Sequence, residues 1–389
     1  MKRRTITAAL CALFLVHAAG GAADEPSLAV AIPAPPDVAA TAYLLMDAHT
    51  QRVLAEKAAD EPKPPASLTK IMTSYLAAKE ISEGRIKLDD TVPISVRAWQ
   101  APGSRMFIQE GRTVELEDLL KGIIIQSGND ASIAVAEYIA GSEDAFANMM
   151  NQEAKVLGMP LTHYKNATGL PDPEHYTTVR DLASLSRALI HDYPEHYAIY
   201  SERSFRFNEI DQPNRNRLLW RDRTVDGVKT GHTEEAGYCL VASALRDGMR
   251  LISVVMGTAS EEARMRESQK LLQYGFRYFE TNKLYDSGVP LNTAEVWYGA
   301  DNEVKLGVLD TVLVTIPRGR YGELKAETDV ARVIRAPFEA GAAFGELRVM
   351  LGDEPVYRGP LVALSGVEEA GFFKRIWHAI YLFFWGFIR

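Results

Sequence analysis

The sequence predicts an α+β domain, followed by a small all-β domain and a terminal amphipathic helix. Three observations support this prediction. Short apolar runs typical of strands stand at both ends of residues 41–281, and a block with helical periodicity lies between them. From about residue 283, short apolar runs alternate with turn residues. The final twenty residues carry aromatic side chains at helical spacing.

The N-terminal residues 1–23 have the pattern of a secretory signal peptide. Three basic residues precede a short apolar stretch, and small residues precede Asp24. A buried N-terminal helix is the alternative, but the basic flank favours export. Because this segment carries three cations and no acid, its removal would change the net charge from −8 to −11. Residues 24–40, rich in Ala and Pro, are expected to form an extended leader.

Composition excludes some classes of function. The acidic net charge argues against nonspecific nucleic-acid binding, which requires a basic face. After export only Cys239 would remain, so no internal disulfide can form, and its apolar surroundings indicate a packed thiol. His163, His175 and His196 lack metal-ligand spacing, and the sequence implies neither a metal nor an organic cofactor.

The predicted catalytic domain, residues 41–281, opens with strand-like runs. Residues 42–46 and 53–55 predict a hairpin. Residues 68–81 predict a helix with Ser67 at its N-terminus, where the helix dipole favours negative charge. Residues 85–220 are expected to be mostly helical.

Strand patterns return at Val225. The turn Arg246-Asp247-Gly248 predicts a hairpin between strands at 237–245 and 249–255. Residues 262–278 then predict a long helix. Strands at both ends, with helices inserted between them, indicate an α+β fold.

Residues 282–366 are predicted to form the all-β domain. Its strands are expected at five apolar runs, namely 295–298, 311–316, 330–334, 346–351 and 362–364.

Residues 367–389 are predicted to form an amphipathic helix that lies in a membrane interface. Its apolar stripe consists of Phe373, Ile376, Trp377, Ile380, Phe384 and Phe387. The uncharged stretch 376–388 is too short to span a bilayer. The alternative is a helix docked on the protein's own core.

Three short motifs, each present once, carry the predicted chemistry: Ser67-Leu68-Thr69-Lys70, Ser127-Gly128-Asn129 and Lys229-Thr230-Gly231. In the first, one helical turn brings the lysine amine close to the serine hydroxyl. Each motif alone is weak evidence for a function. Their order and their flanking residues make a chance combination improbable.

In its three motifs and the residues that flank them, the chain resembles the low-molecular-mass penicillin-binding proteins of the D-alanyl-D-alanine carboxypeptidase type, a family of serine peptidases. The resemblance covers most of residues 40–389. It implies a β-lactamase/transpeptidase-like catalytic fold and a β domain that lifts the active site away from the membrane. It also implies removal of the terminal D-alanine from peptidoglycan stem peptides, acylation by β-lactams, and a position on the periplasmic face of the inner membrane.

Three residues are expected to be catalytic. Ser67 is the candidate nucleophile and needs a base to take its proton. Lys70 can serve as that base when neutral, so we expect burial and the nearby Lys229 to depress its pKa. Ser127 is placed to relay a proton between Lys70 and the leaving amine.

The substrate-binding residues are expected to come from the second and third motifs. Asn129 can bond the substrate backbone and orient Lys70. Lys229 and Thr230 would meet the terminal carboxylate, and Gly231 would let the strand come close to the ligand.

Other residues are expected to contribute to the site less directly than the three motifs. The resemblance implies an oxyanion hole made by the backbone N–H groups of Ser67 and His232. It also places Arg215 near the active site, although a surface salt bridge is an open alternative. Asp130 and Asp226 are expected to be structural, satisfying loop N–H groups.

The sequence also allows several rival functions. A serine–histidine triad is disfavoured because no G-x-S-x-G elbow surrounds Ser67. A β-lactamase of class A is disfavoured because residues 166–172 lack the Glu-x-x-Leu-Asn pattern used for deacylation. A transpeptidase on the same fold and a membrane-tethered scaffold stay open.

Overall fold

The structure, a computed structural model, describes residues 32–385, with side chains as far as Phe383. The predicted signal peptide (1–23), the start of the predicted leader, Phe387 and the side chain of Phe384 lie outside the described residues. The described leader residues run along the long helix at Glu261–Tyr278, where the Ala39 N–H donates to Glu267.

The catalytic part of the chain contains nine strands and nine α-helices among its described residues, besides two 3₁₀ turns and one π-helical turn (Gly122–Gln126). The strands are β1 (Ala42–Asp47), β2 (Val53–Lys57), β3 (Thr91–Pro93), β4 (Thr113–Glu115), β5 (Ser204–Phe207), β6 (Ile210–Pro213), β7 (Val225–Thr233), β8 (Gly237–Arg246) and β9 (Met249–Thr258). The helices are α1 (Lys70–Ser82), α2 (Val96–Trp99), α3 (Leu116–Lys121), α4 (Asn129–Ala140), α5 (Glu143–Val156), α6 (Val179–Asp192), α7 (Pro194–Tyr197), α8 (Leu218–Arg221) and α9 (Glu261–Tyr278).

A five-stranded antiparallel sheet, ordered β2-β1-β9-β8-β7, forms the centre of this domain. Helix α9 covers one face, where Leu271 shares a buried cluster with Leu45 and Leu251. The helical block covers the other face, where Ile71 of α1 packs with Val254 of β9. The predicted α+β class is therefore confirmed.

The expectation of a mostly helical block over residues 85–220 is incomplete. Two small hairpins, β3–β4 and β5–β6, lie within it. The second hairpin turns at Asn208 and Glu209, both with positive φ, and this pair lacks the glycine that normally marks such a turn. The hairpin predicted at Asp247 and Gly248 is confirmed, and both residues have the positive φ that a tight hairpin requires.

The all-β domain follows α9 without a loop. Its strands are β10 (Phe279–Tyr285), β11 (Pro290–Trp297), β12 (Glu303–Gly307), β13 (Val312–Pro317), β14 (Leu324–Val330), β15 (Ile334–Arg335), β16 (Ala343–Leu351) and β17 (Glu354–Ala363). β10 pairs with β13, and the others form a sheet ordered β14-β16-β17-β12-β11-β15. The domain boundary expected between 281 and 282 falls inside β10.

One strand of the β domain was placed wrongly from sequence. The apolar run 330–334 is not a strand, because β14 ends at Val330 and β15 begins at Ile334. β14 itself lies at the edge of the sheet and is mostly exposed. Its polar residues hide the apolar alternation that sequence analysis relies on.

Asp47, Thr50 and Arg52 join the two domains through partly buried polar contacts. Asp47 Oδ2 accepts a hydrogen bond of 2.5 Å from the Thr281 hydroxyl of β10. Thr50 lies 2.6 Å from Thr315 of β13 between their hydroxyl oxygens, and Arg52 donates to the Thr315 carbonyl at 2.8 Å. These contacts hold the β domain against the turn between β1 and β2 of the catalytic domain.

The terminal helix α10 (Phe372–Trp385) begins five residues after the predicted start at 367, because Val367 and Glu369 still bridge to the β domain. One side of α10 docks on that domain. His378 Nδ1 accepts the Tyr298 N–H at 2.8 Å, and the Tyr381 ring stacks on Trp297.

The other side of α10 is open to solvent. Phe373 is 86% exposed and Trp377 67% exposed. The two sequence interpretations, an interfacial helix and a docked helix, therefore describe different faces of one element. No helix within residues 32–385 has the length and apolar character needed to cross a membrane.

Candidate active site

Ser67 lies in a 3₁₀ turn (Ala66–Thr69) directly before α1. The α-helix thus starts two residues later than predicted. Leu68 and Thr69 are buried, and Thr69 Oγ1 lies 2.9 Å from the Nε2 atom of His175. Because its neighbours are fixed in the core, the turn presents the Ser67 hydroxyl to a surface cavity.

Lys70 is fully buried beside Ser67. Its Nζ lies 3.1 Å from Ser67 Oγ, 2.6 Å from Asn129 Oδ1 and 2.5 Å from the Thr168 carbonyl oxygen. The first contact agrees with the expectation that one turn of chain brings the amine to the hydroxyl. The carbonyl contact was not foreseen from the sequence.

Burial lowers the pKa of Lys70 to about 7, with a smaller lowering from the Arg215 charge, while Asp130 and Glu143 oppose both effects. The sequence predicted this direction and its main cause, but named Lys229 as the second cause. The repulsion between the two lysines lowers the pKa of Lys229 instead, after burial, which is the larger cause.

The three partners of Lys70 define how its neutral form is oriented. A neutral amine has two N–H groups and one lone pair. Asn129 Oδ1 and the Thr168 carbonyl can only accept, so they take the two N–H groups. The lone pair is then left for the Ser67 hydroxyl, which is the arrangement that a general base requires.

A tight loop supplies the Thr168 carbonyl. Asn166 Oδ1 accepts the N–H groups of Thr168 and Gly169 at 3.1 and 2.7 Å. Gly169 has φ of +83°, and a Cβ there would lie 1.8 Å from the Ala66 carbonyl oxygen. The loop therefore packs directly against the turn that carries Ser67.

Gly169→Ala is expected to cost at least about 3 kcal/mol of unfolding free energy, since it adds a backbone clash to a left-handed conformation. Gly158→Ala is the matched control, because Gly158 has φ of +67° and no atom within 4 Å of an added Cβ. It should cost only about 1–2 kcal/mol. Denaturant unfolding of both variants measures the difference, and equal losses would show that the contact with Ala66 is unimportant.

The second motif lies on the far side of Lys70. Ser127 is in the left-handed conformation, with φ of +66°, and lines the same cavity as Ser67. Asn129 begins α4, and its Nδ2 donates to the Pro102 carbonyl at 2.7 Å, which turns Oδ1 towards Lys70. A Cβ on Gly128 would lie 2.8 Å from Asp130 Oδ1, so the middle position is tightly enclosed.

The third motif lies on β7. Lys229 is buried, and its Nζ donates to the Thr230 carbonyl at 3.1 Å. Gly231 has a role beyond the expected one. A Cβ there would lie 3.1 Å from the Pro65 carbonyl and 3.3 Å from Ala66 Cβ, so the glycine lets β7 approach the turn that carries Ser67.

Two residues near β7 were missed from sequence. Arg264 of α9 is buried, and its Nη1 donates to the Gly231 carbonyl at 3.1 Å. Tyr238 of β8 stacks on His232 with ring centroids 3.9 Å apart, and its ring lies 5.6 Å from the Arg264 guanidinium. Neither belongs to a motif, and only the packing of α9 and β8 beside β7 brings them to the site.

The cavity above Ser67 has a volume of about 190 Å³. Among the predicted site residues, its walls include Ser67, Ser127, Arg215, Thr230, Gly231 and His232. Lys70, Asn129 and Lys229 lie behind these walls, fully or almost fully buried. Ser104 and Glu261 complete the lining together with Tyr238 and Arg264.

Arg215 is exposed at the cavity and has no carboxylate partner at ion-pair distance among residues 32–383. The surface salt bridge that the sequence left open is therefore not formed within that part of the chain. Although part of the side chain reaches solvent, burial of the rest lowers the pKa of this guanidinium, and the Glu261 charge opposes that effect.

Asp130 and Asp226, both predicted to be structural, accept hydrogen bonds from different kinds of donor. Asp130 is buried and accepts the N–H groups of Met106 and Phe107, as expected. Asp226 accepts from the Tyr197 hydroxyl and from Arg250, so its partners are side chains rather than loop N–H groups.

His175 and Cys239 are both buried near the site. Burial lowers the pKa of His175 to about 4, and this ring supports the turn that carries Ser67, which its sequence context did not suggest. Burial raises the pKa of the Cys239 thiol to about 11, in agreement with a packed thiol.

The geometry identifies the class of enzyme. A buried lysine, not a histidine, faces the serine hydroxyl, and His232 stacks on Tyr238 and hydrogen-bonds no carboxylate within the described chain. This arrangement differs from a serine–histidine triad and is the one expected of a serine hydrolase that uses a lysine.

The family follows from comparison with known proteins, and the chain belongs to the D-alanyl-D-alanine carboxypeptidases. The profile of that family matches residues 29–260, and that of the penicillin-binding protein 5 C-terminal domain matches residues 279–369. The D-alanyl-D-alanine carboxypeptidase DacC of Escherichia coli is 46% identical, over 90% of this chain and 89% of its own length. DacA of the same strain is 42% identical, over 99% of this chain and 96% of its own.

Solved structures agree with this assignment. Penicillin binding protein 5 from Haemophilus influenzae is 41% identical, with a TM-score of 0.83, over 87% of this chain and all of its own. A mutant of the Streptomyces K15 DD-transpeptidase is 28% identical, with a TM-score of 0.58, over 62% of this chain and 99% of its own. The second structure matches a smaller part of this chain than the first does.

Proposed function

We propose that this protein is a serine-type D-Ala-D-Ala carboxypeptidase that removes the terminal D-alanine from peptidoglycan stem pentapeptides. The observation that carries the proposal is the Lys70 amine, 3.1 Å from Ser67 Oγ, with both its other partners able only to accept. This amine can hold the proton of the attacking hydroxyl at neutral pH.

In the proposed acylation step, Ser67 Oγ attacks the carbonyl of the penultimate D-alanine while Lys70 takes the hydroxyl proton. The backbone N–H groups of Ser67 and His232 would stabilise the oxyanion. Ser127 would pass the proton to the departing D-alanine amine. Water then attacks the acyl-enzyme carbonyl and gives a proton to Lys70. The ester bond to Ser67 Oγ breaks, Lys70 returns the proton to Oγ, and the shortened stem peptide leaves with a free carboxyl group.

The proposed carboxylate site uses the cationic side of the cavity. Thr230 in the cavity wall would bind the substrate's terminal carboxylate, with Arg215 at the cavity rim, and the Lys229 charge behind the wall would attract it. Burial and neighbouring cations lower the pKa of Lys229, so an incoming carboxylate would favour its charged form.

β-Lactams are expected to acylate Ser67 and to leave slowly. Deacylation in a class A β-lactamase needs a loop carboxylate, yet here the loop contributes the Thr168 carbonyl to Lys70. Asp172, the acid of that loop, accepts the N–H of Glu174 in a local turn.

Product analysis of the wild-type enzyme tests this proposal against its rivals. The substrate is a stem pentapeptide ending in D-Ala-D-Ala, supplied with an amine acceptor, and a fluorescent penicillin is tested in parallel. We expect free D-alanine, little cross-linked product and persistent labelling. Dominant cross-linking would identify a transpeptidase, rapid penicillin hydrolysis a β-lactamase, and labelling without any turnover a scaffold.

We also propose that the protein is exported and acts on the periplasmic face of the inner membrane. The basic, then apolar, N-terminal pattern supports export. The solvent-exposed apolar face of α10, which includes Phe373 and Trp377, supports attachment to the membrane surface.

A further inference from the structure

A cavity of about 430 Å³ lies in the corner between α10 and the β domain. The β-domain side contributes Tyr298 and Arg335, and α10 contributes Phe372, Arg375 and Ile376. This cavity is separate from the one above Ser67, with which it shares no residue.

The polar side of this corner cavity carries an uncompensated positive charge. Arg335 is exposed, and its guanidinium lies 5.8 Å from the centre of the Tyr298 ring. It has no carboxylate at ion-pair distance within residues 32–383. Arg375 is paired with Glu369, which also lines the cavity, at 3.0 Å. Two arginines and one carboxylate leave a net charge of about +1, suited to a monoanion.

The apolar side of the corner cavity continues into the open face of α10. Phe372 and Ile376 line the cavity and are also exposed, beside Phe373 and Trp377. A ligand that fits both sides has an anionic head and an apolar tail. Free phosphate would satisfy only the arginines, whereas a phospholipid would also cover the apolar wall.

We propose that the corner cavity binds one anionic phospholipid, with its phosphate at Arg335 and Arg375 and its acyl chains along Phe372 and Ile376. The inference rests on the proposed attachment of α10 to the membrane. A bound lipid would contact the β domain and α10 together, and so fix the orientation of the protein on the bilayer.

The test compares binding of the full chain to phosphatidylcholine vesicles with and without phosphatidylglycerol. The variant is Arg335→Gln, which leaves α10 unchanged, and the matched control is Arg332→Gln, an exposed residue three positions away that does not line the cavity. We expect phosphatidylglycerol to strengthen wild-type binding. Arg335→Gln should weaken that binding about fivefold, Arg332→Gln less than about twofold, and Arg335→Lys should retain most of it.

Four results would overturn the lipid site. Equal losses in the Arg335 and Arg332 variants would indicate diffuse attraction to the surface. Displacement by sn-glycerol 1-phosphate at constant ionic strength would indicate a phosphate site that needs no acyl chain. Wild-type binding that is equal on both vesicle types would reject the lipid site but keep membrane attachment, whereas no binding to either would reject both.

Discussion

Replacing Ser67 by alanine is expected to lower kcat for D-alanine release by at least about 10⁴-fold and to abolish labelling by a fluorescent penicillin. The variant has no hydroxyl to attack the substrate or the β-lactam. Its fold should persist, because the hydrogen bond described for Ser67 Oγ is the one with Lys70. D-alanine release from a stem pentapeptide, measured beside a thermal unfolding curve, separates loss of chemistry from loss of structure.

Ser82→Ala is the control for this experiment. Ser82 ends α1, and its hydroxyl donates to the Lys79 carbonyl on the exposed surface. Its removal should leave both release and labelling unchanged. Release by Ser67→Ala at a rate near that of the wild type would mean that another group is the nucleophile.

Replacing Lys70 by methionine is expected to lower kcat/KM by about 10²- to 10⁴-fold, the usual contribution of a general base. The wild-type pH profile should show the same group. Below its pKa the amine is charged and its lone pair is occupied, so activity should rise with pH through about 7. The Lys70→Met profile should lack this rise.

Arg215→Gln tests the cause of the low pKa. Because the Arg215 charge lowers the pKa of Lys70, its removal should move the rise in kcat/KM to higher pH. Arg217→Gln is the control, since Arg217 is exposed and lies over the Trp220 ring. A wild-type profile that rises only near the ordinary lysine pKa of about 10.4 would contradict a neutral Lys70 at pH 7.

Much of the fold could be read from local patterns. The hairpin turn at Asp247 and Gly248 and the helix α9 have strong local signals, and both are observed. The hairpin β5–β6 and the edge strand β14 were missed, since one lacks a glycine turn and the other lacks apolar alternation. Sequence patterns report burial periodicity, so elements with little burial leave little trace.

The sequence alone determined which chemical groups the site contains and that Lys70 lies beside Ser67, because these two residues are one turn apart in the chain. Tertiary structure alone decided what surrounds them. The Thr168 carbonyl that orients Lys70 is 98 residues away, and the Arg264 that holds Gly231 is 33 residues away. Spacing along a chain fixes neighbours within a turn of helix, whereas contacts between distant segments depend on how helices and sheet pack.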